Sequence, residues 1–147
     1  MSIRPAVESE CAQLAALQLR ASLGNPGDRG ALLANPYALE FPREQIAAGQ
    51  VFVAERNGAV VGFAVVRPRA DGDIELEGLF VDPAAWRQGI GRALVDHCVA
   101  FAATANASAL HLLGNAHAEG FYRGCGFETV GTHAARFGVG LLMRKKL

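Results

Sequence analysis

DIELEGLFVDPAAWRQGIGRALVDHCVAFAA, residues Asp73 to Ala103, is the stretch on which the fold turns. Ile74, Leu76, Gly78 and Phe80 alternate with Glu75, Glu77, Leu79 and Val81, the period of a strand. Ile90, Leu94, Cys98 and Phe101 are spaced for one apolar face of a helix. Asp82-Pro83 is the elbow between them. The segment Trp86-Arg87-Gln88-Gly89-Ile90-Gly91-Arg92 is basic and carries two glycines. Glycine lets a ligand approach the backbone closely, and the first N–H groups of a helix have no partner within it. The helix dipole favours an anion at that end, and Arg87 and Arg92 flank it with fixed positive charge. The segment reads as a pyrophosphate cradle. The plainer reading is a helix that simply begins with glycines and arginines.

Two other phosphate loops are excluded. A mononucleotide P-loop needs a lysine and a hydroxyl after its second glycine, and neither is present. A dinucleotide fingerprint needs a third glycine where this chain has Leu94, and an acidic residue about twenty positions on.

Composition sets the frame. The chain has 147 residues, 51% of them hydrophobic, which suits a single domain over 1–147 with a substantial core. Fourteen basic and 14 acidic residues give a net charge of +0, so charge makes no case for nucleic acid or an anionic membrane as partner. Apolar runs are too short for a spanning helix, and a cytoplasmic location is the default expectation. Cys11, Cys98 and Cys125 are odd in number and widely spaced, which argues against a disulfide framework and against zinc. No histidine pair has metal spacing, so no metal is expected.

Taken in order, the chain predicts a short strand over Ser2 to Val7 and a helix from Glu8 to Leu23, ended by Gly24-Asn25-Pro26-Gly27. Helical pieces are expected at Asp28 to Ala34 and at Pro42 to Ala48, in an irregular stretch placed to wall a substrate site. Val51 to Arg56 and Ala59 to Arg67 flank Asn57-Gly58, a hairpin turn in which both central residues tolerate positive φ. A further strand is expected at Ser108 to Leu113, then a short helix from His117 to Cys125. Two last strands follow, at Phe127 to Thr132 and Val139 to Met143. The crossover from Asp73–Val81 through the helix to Ser108–Leu113 makes those strands parallel neighbours in a mixed sheet. His97 falls opposite Ile90 and reads as solvated, His111 as a tucked-in strand histidine, His133 as loop.

With these residues in place the chain resembles the GNAT superfamily of acetyl-CoA-dependent N-acetyltransferases. The match is carried by LEGLFVDPAAWRQGIGRAL and GNAHAEGFYRGCGF, with the hairpin VFVAERNGAVVGFAVV before them. The family pattern [QR]-x-x-G-x-[GA] falls with Gly89 and Gly91 on its glycines, but with Trp86 at its first position and Arg87 one place later. The resemblance implies an α+β (mixed α/β) fold. Its centre is a mixed, mostly antiparallel sheet of six to seven strands, flanked by about four helices. It implies acetyl-CoA as cosubstrate, with main-chain groups of Leu79, Phe80 and Val81 pairing with the pantetheine arm. Arg87, Gln88, Gly89, Ile90, Gly91 and Arg92 would hold the pyrophosphate. Asn115 would contact the cofactor, although a loop asparagine is often a turn residue. A homodimer is within the family's habits.

Acyl transfer to an amine requires that the amine lose a proton, the thioester carbonyl be polarised and the thiolate be helped to leave. A lysine-like amine, with a pKa of about 10.4, is mostly charged at neutral pH and needs a base. Glu75 and Glu77 share one side of their strand. Glu77 is nearer the expected thioester and stands just before Gly78, where the strand can bulge, so it is the candidate base, with Glu75 as substitute. By the resemblance, Tyr122 is the general acid, a phenol protonated at neutral pH. His117 is close enough to Asn115 to touch cofactor or acceptor. Cys125 reads as structural. The expected activity is acetyl transfer to a primary amine of a small molecule or a protein. The alternative is a non-catalytic acyl-CoA-binding module.

Overall fold

The computed structural model describes residues 1–23, 43–135 and 138–147. It consists of β1 (Ser2–Pro5), a 3-10 turn at Glu8–Glu10, α1 (Cys11–Leu23), α2 (Arg43–Ala47), β2 (Val51–Arg56), β3 (Ala59–Pro68) and β4 (Ile74–Val81). There follow a 3-10 turn at Pro83–Ala85, α3 (Ile90–Thr104), β5 (Ala109–Gly114), a 3-10 turn at Ala116–Ala118, α4 (Glu119–Gly124), β6 (Glu128–Ala135) and β7 (Gly138–Lys146). The expected helical piece at Asp28 to Ala34 lies outside the described residues.

The strands form one 7-stranded sheet in the order β1-β2-β3-β4-β5-β7-β6. Every neighbouring pair is antiparallel except β4 and β5, which are parallel, as the intervening helix requires. Asn57 (φ 53) and Gly58 (φ 78) both take positive φ, the conformation expected for a two-residue hairpin turn. His133 lies in β6 and not in a loop, because β6 runs to Ala135 along β7.

Both sheet faces carry a core. On one, Ile90, Leu94, Val95 and Cys98 of α3 pack on Ala64, Val66, Leu76 and Leu110. On the other, Leu14 and Leu17 of α1 pack on Val51, Val53, Phe63 and Val65, joined by Ile46 of α2. Gly62 lets α3 sit close: a Cβ there would stand 3.0 Å from the Phe80 carbonyl oxygen and 3.2 Å from Leu94 Cδ1. His97, expected to be solvated, is half-buried. Its ring packs edge-on against Phe52 at a centroid distance of 4.6 Å.

The alternation in β4 is broken once. Val65 of β3 faces Gly78 and Val66 faces Leu76, so Glu77 is an extra residue, a β-bulge. Ile74 and Leu76 therefore share the α3 face with Leu79 and Val81, while Phe80 turns to the α1 side against Phe63. An unbroken strand would have placed Phe80 with Ile74 and Leu76. The bulge resets the phase halfway along.

Ion pairs tie the N-terminal segment to this frame. Arg4 chelates Glu10 at 2.8 and 3.0 Å, which holds the Glu10 carboxyl below its ordinary range, and Glu10 reaches back to the Val7 N–H at 2.9 Å. Arg20 of α1 meets Asp82, at the elbow after β4, at 3.0 Å. No helix among the described residues is long and apolar enough to cross a membrane.

Leu94 is fully buried between α3 and Gly62. Leu94→Ala should lower unfolding free energy by about 2–5 kcal/mol in urea titrations. A loss below about 1 kcal/mol would contradict this packing.

Candidate active site

β4 and β5 pair only through Ile74, Glu75 and Leu76 against Leu110, His111 and Leu112. Beyond that point the strands part. A cleft of about 660 Å³ opens between Gly78–Val81 on one side and Leu113–Asn115 on the other, with the start of α3 at its end. Among the described residues the edge of β4 facing the cleft thus has no strand partner, and its peptide groups face the cleft, with the Val81 carbonyl taken by the Trp86 indole.

The elbow after β4 shapes the cradle. Asp82 accepts a hydrogen bond from the Ala84 N–H at 3.1 Å and Pro83 opens the 3-10 turn. Arg87 (φ 63) and Gly89 (φ 80) are both left-handed, an uncommon state for an arginine. Gly89 precedes α3, and a Cβ built on it would meet nothing within 4 Å. Its α-carbon therefore looks into open space beside the helix N-terminus, the room a phosphate needs. The N–H groups of Gly89, Ile90, Gly91 and Arg92 find no acceptor among the described residues. Trp86, where the family carries glutamine or arginine, is 42% exposed in the cleft wall. Its indole N–H donates to the Val81 carbonyl at 2.7 Å, which fastens the loop to the end of β4.

Of the residues expected from the sequence, Glu77, Leu79, Phe80, Val81, Arg87, Gly89, Ile90, Gly91, Asn115 and Tyr122 all line this cleft. Gln88 and Arg92 are exposed and do not form part of its wall. Glu75, the substitute base, is also outside it, 4.0 Å from Arg69. Glu77 Oε1 pairs with Arg67 at 3.1 Å, and Oε2 accepts from Gln45 Nε2 at 2.8 Å. Asn115 Oδ1 accepts from the Ala118 N–H at 3.0 Å, the turn role, while its amide Nδ2 remains a donor on the cleft side of β5.

Tyr122 stands edge-on between Phe121 and Phe127, at centroid distances of 5.2 and 5.8 Å. Burial, and then the neighbouring Cys125 and Cys98, push its phenol above the ordinary range, so it keeps its proton throughout the neutral region. His117 and Phe121 also line the cleft. The sequence did not point to Trp86 or Phe121 as wall residues, because strand splay and helix docking bring them there.

A second cluster sits at the other end of the β4–β5 pairing. Asp73 Oδ2 meets His111 Nε2 at 2.8 Å and Oδ1 accepts from the Ser108 N–H at 2.8 Å, which holds Asp73 below the usual carboxylate range, His111 first. Asp71 lies within 4.8 Å of both and is occupied by Arg69 at 3.1 Å. With each group already partnered, the trio acts as a clamp where the two strands begin. Sequence spacing hid it, since only the parallel pairing joins Asp73 to His111.

The profile of the acetyltransferase (GNAT) family matches residues 23–127. The chain belongs to this family, and it is an acyltransferase of the N-acetyltransferase class. Solved structures agree in fold. A ribosomal-protein-alanine N-acetyltransferase from Brucella melitensis is 29% identical over 100% of both chains, with a TM-score of 0.71. A PaiA N-acetyltransferase from Thermoplasma acidophilum, solved in complex with coenzyme A, is 17% identical over 99% of this chain and 98% of that one, with a TM-score of 0.79. A nourseothricin acetyltransferase is 30% identical over 65% of this chain and 64% of that one, with a TM-score of 0.61. No curated protein matches the chain at a significant level.

Two outcomes follow from the geometry. Trp86 is the only tryptophan, so CoA entering the cleft should change the protein's tryptophan emission saturably; titration with no change would place the ligand elsewhere. Cys11, Cys98 and Cys125 are buried, and burial pushes the Cys98 thiol up to about 12, so its thiolate is scarce at pH 8. A disulfide reagent at pH 8 should leave the native thiols largely unmodified and titrate all three after unfolding. Rapid modification of the native protein would contradict this burial.

Proposed function

We propose that the cleft transfers an acetyl group from acetyl-CoA to a primary amine, with Glu77 as base and Tyr122 as acid. The observation that supports this most is that both side chains line one cleft, with the open α3 N-terminus at its end. The residues present fit coenzyme A. Gly89 leaves room for a phosphate, the first N–H groups of α3 are unpaired among the described residues, Arg87 stands beside them, and the open edge of β4 suits an amide-bearing arm.

Bound acetyl-CoA supplies the acetyl thioester. Glu77 takes the proton of the incoming amine, directly or through one water, as its nitrogen forms the new C–N bond. An N–H of β4 near Val81 donates to the carbonyl oxygen as negative charge gathers there. Tyr122, a phenol protonated at neutral pH, gives its proton to the sulfur as the C–S bond breaks. The products are the amide and CoA thiol. Solvent removes the proton from Glu77 and restores one to Tyr122, so no covalent enzyme intermediate is needed.

The acceptor is a small-molecule or protein amine. A protein N-terminus, as in the ribosomal-protein-alanine enzyme, and an antibiotic amine, as in the nourseothricin enzyme, are the two acceptors to assay first.

Thiol release with a panel of amines tests the reading. Tyr122→Phe and Glu77→Gln should each lower kcat by about 10²-fold with little change in affinity for CoA. Glu77→Gln should also reshape the rise of activity with pH. An unaltered profile would remove Glu77 as base, and unchanged turnover in Tyr122→Phe would remove the acid. Gly89→Val puts a β-branched side chain at φ 80 and into the phosphate space, so CoA binding should be lost in calorimetry. Retained binding would contradict the cradle.

A further inference from the structure

We infer that Gln45, on α2, is the positioning residue for Glu77, and that the carboxylate works as a base only while this amide holds it. The inference rests on the reading of Glu77 as the base.

Three observations converge on Gln45. First, it is only 7% exposed, which is unusual for a glutamine. Second, its amide nitrogen lies 2.8 Å from Glu77 Oε2 and 3.4 Å from the Val66 carbonyl oxygen. Two acceptors around one atom fix it as the NH₂ end, since a carbonyl there would face both. Third, its own Oε1 is buried and has no hydrogen-bond partner among the described residues. A leucine of similar size would avoid that orphaned oxygen and join Ile46 in the apolar cluster beside it. What the amide provides that a leucine does not is the hydrogen bond to Glu77.

Glu77 needs such a hold. As the bulged residue it is the one position of β4 with no partner across β3, so the ladder does not set its direction. Its two oxygens are instead held from two sides. Arg67 is more than half exposed, so water and salt weaken its pull and its long stem is free to move. Gln45 is enclosed, and its main-chain carbonyl accepts from the Gln50 N–H at 2.9 Å, while the Gln50 main-chain carbonyl accepts from the Val66 N–H at 2.8 Å. The amide is thus fixed to the strand that faces the bulge. It is also neutral, so it orients one oxygen without setting a second full positive charge beside the base. Each carboxylate oxygen keeps a lone pair for the amine proton or for a relaying water.

The test is Gln45→Leu, with Gln45→Met as a second variant should the leucine protein fail to fold. Two readouts are made. In crystals of Gln45→Leu, the Glu77 carboxylate should leave the place it holds beside Gln45 Nε2 or spread over more than one position. With the best amine of the panel, kcat at pH 7 should fall by about 10-fold while KM for acetyl-CoA and melting temperature stay near wild type. A Glu77 carboxylate in its wild-type place together with a wild-type kcat would overturn the inference. If Glu77→Gln is slow and Gln45→Leu is not, the positioning role alone fails. If Glu77→Gln is itself as fast as wild type, the base assignment fails and Gln45 goes with it.

Discussion

The extra residue in β4 governs what surrounds it. A strand with a regular period would have carried Glu77 and Phe80 to opposite faces and kept Leu79 and Val81 away from α3. With the bulge, Leu79 and Val81 join the α3 core, and Phe80 moves to the α1 core. The same strand therefore feeds two cores and still presents a carboxylate to a cleft. The parting of β4 from β5 after Leu76 leaves one edge of this half-strand without a partner among the described residues. Sheet edges are usually covered or charged, and here the edge faces the cleft, with only its Val81 carbonyl met by Trp86.

The rest of the fold holds that geometry in place. The clamp of Asp73, His111 and the Ser108 N–H sits at the point where β4 and β5 are still paired, so divergence begins from a fixed origin. The Arg20–Asp82 pair ties the end of α1 to the elbow after β4, and Trp86 fastens the loop to Val81. Gly62 lets α3 press against β3, which sets the helix N-terminus at the end of the cleft. Unpaired N–H groups and the helix dipole favour an anion at a helix N-terminus without any special side chain.

Much of this was legible in the chain itself. Asn57-Gly58 announced its hairpin, and Val51–Arg56 is the strand observed, because local turn chemistry and alternation act within a few residues. The α3 face of Ile90, Leu94 and Cys98 was equally plain. Less legible were features set by distant contacts. Gly78 hinted at an irregularity, but only the register with β3 shows that Glu77 is the bulged residue and that Phe80 changes face. His97 looks solvent-facing on its helix, yet Phe52 of another strand covers it. The roles of Gln45 and Arg67 had no local signal, since each meets Glu77 from a different element. Trp86 broke the family pattern and thereby concealed a contact that only the folded elbow creates.

The most direct measurement is a crystal structure of the protein with CoA. The expected density has the diphosphate on the N–H groups of Gly89 to Arg92, the pantetheine arm along Gly78–Val81, and the sulfur between Glu77 and Tyr122. A nucleotide lodged away from the start of α3, or a sulfur remote from both side chains, would contradict the account.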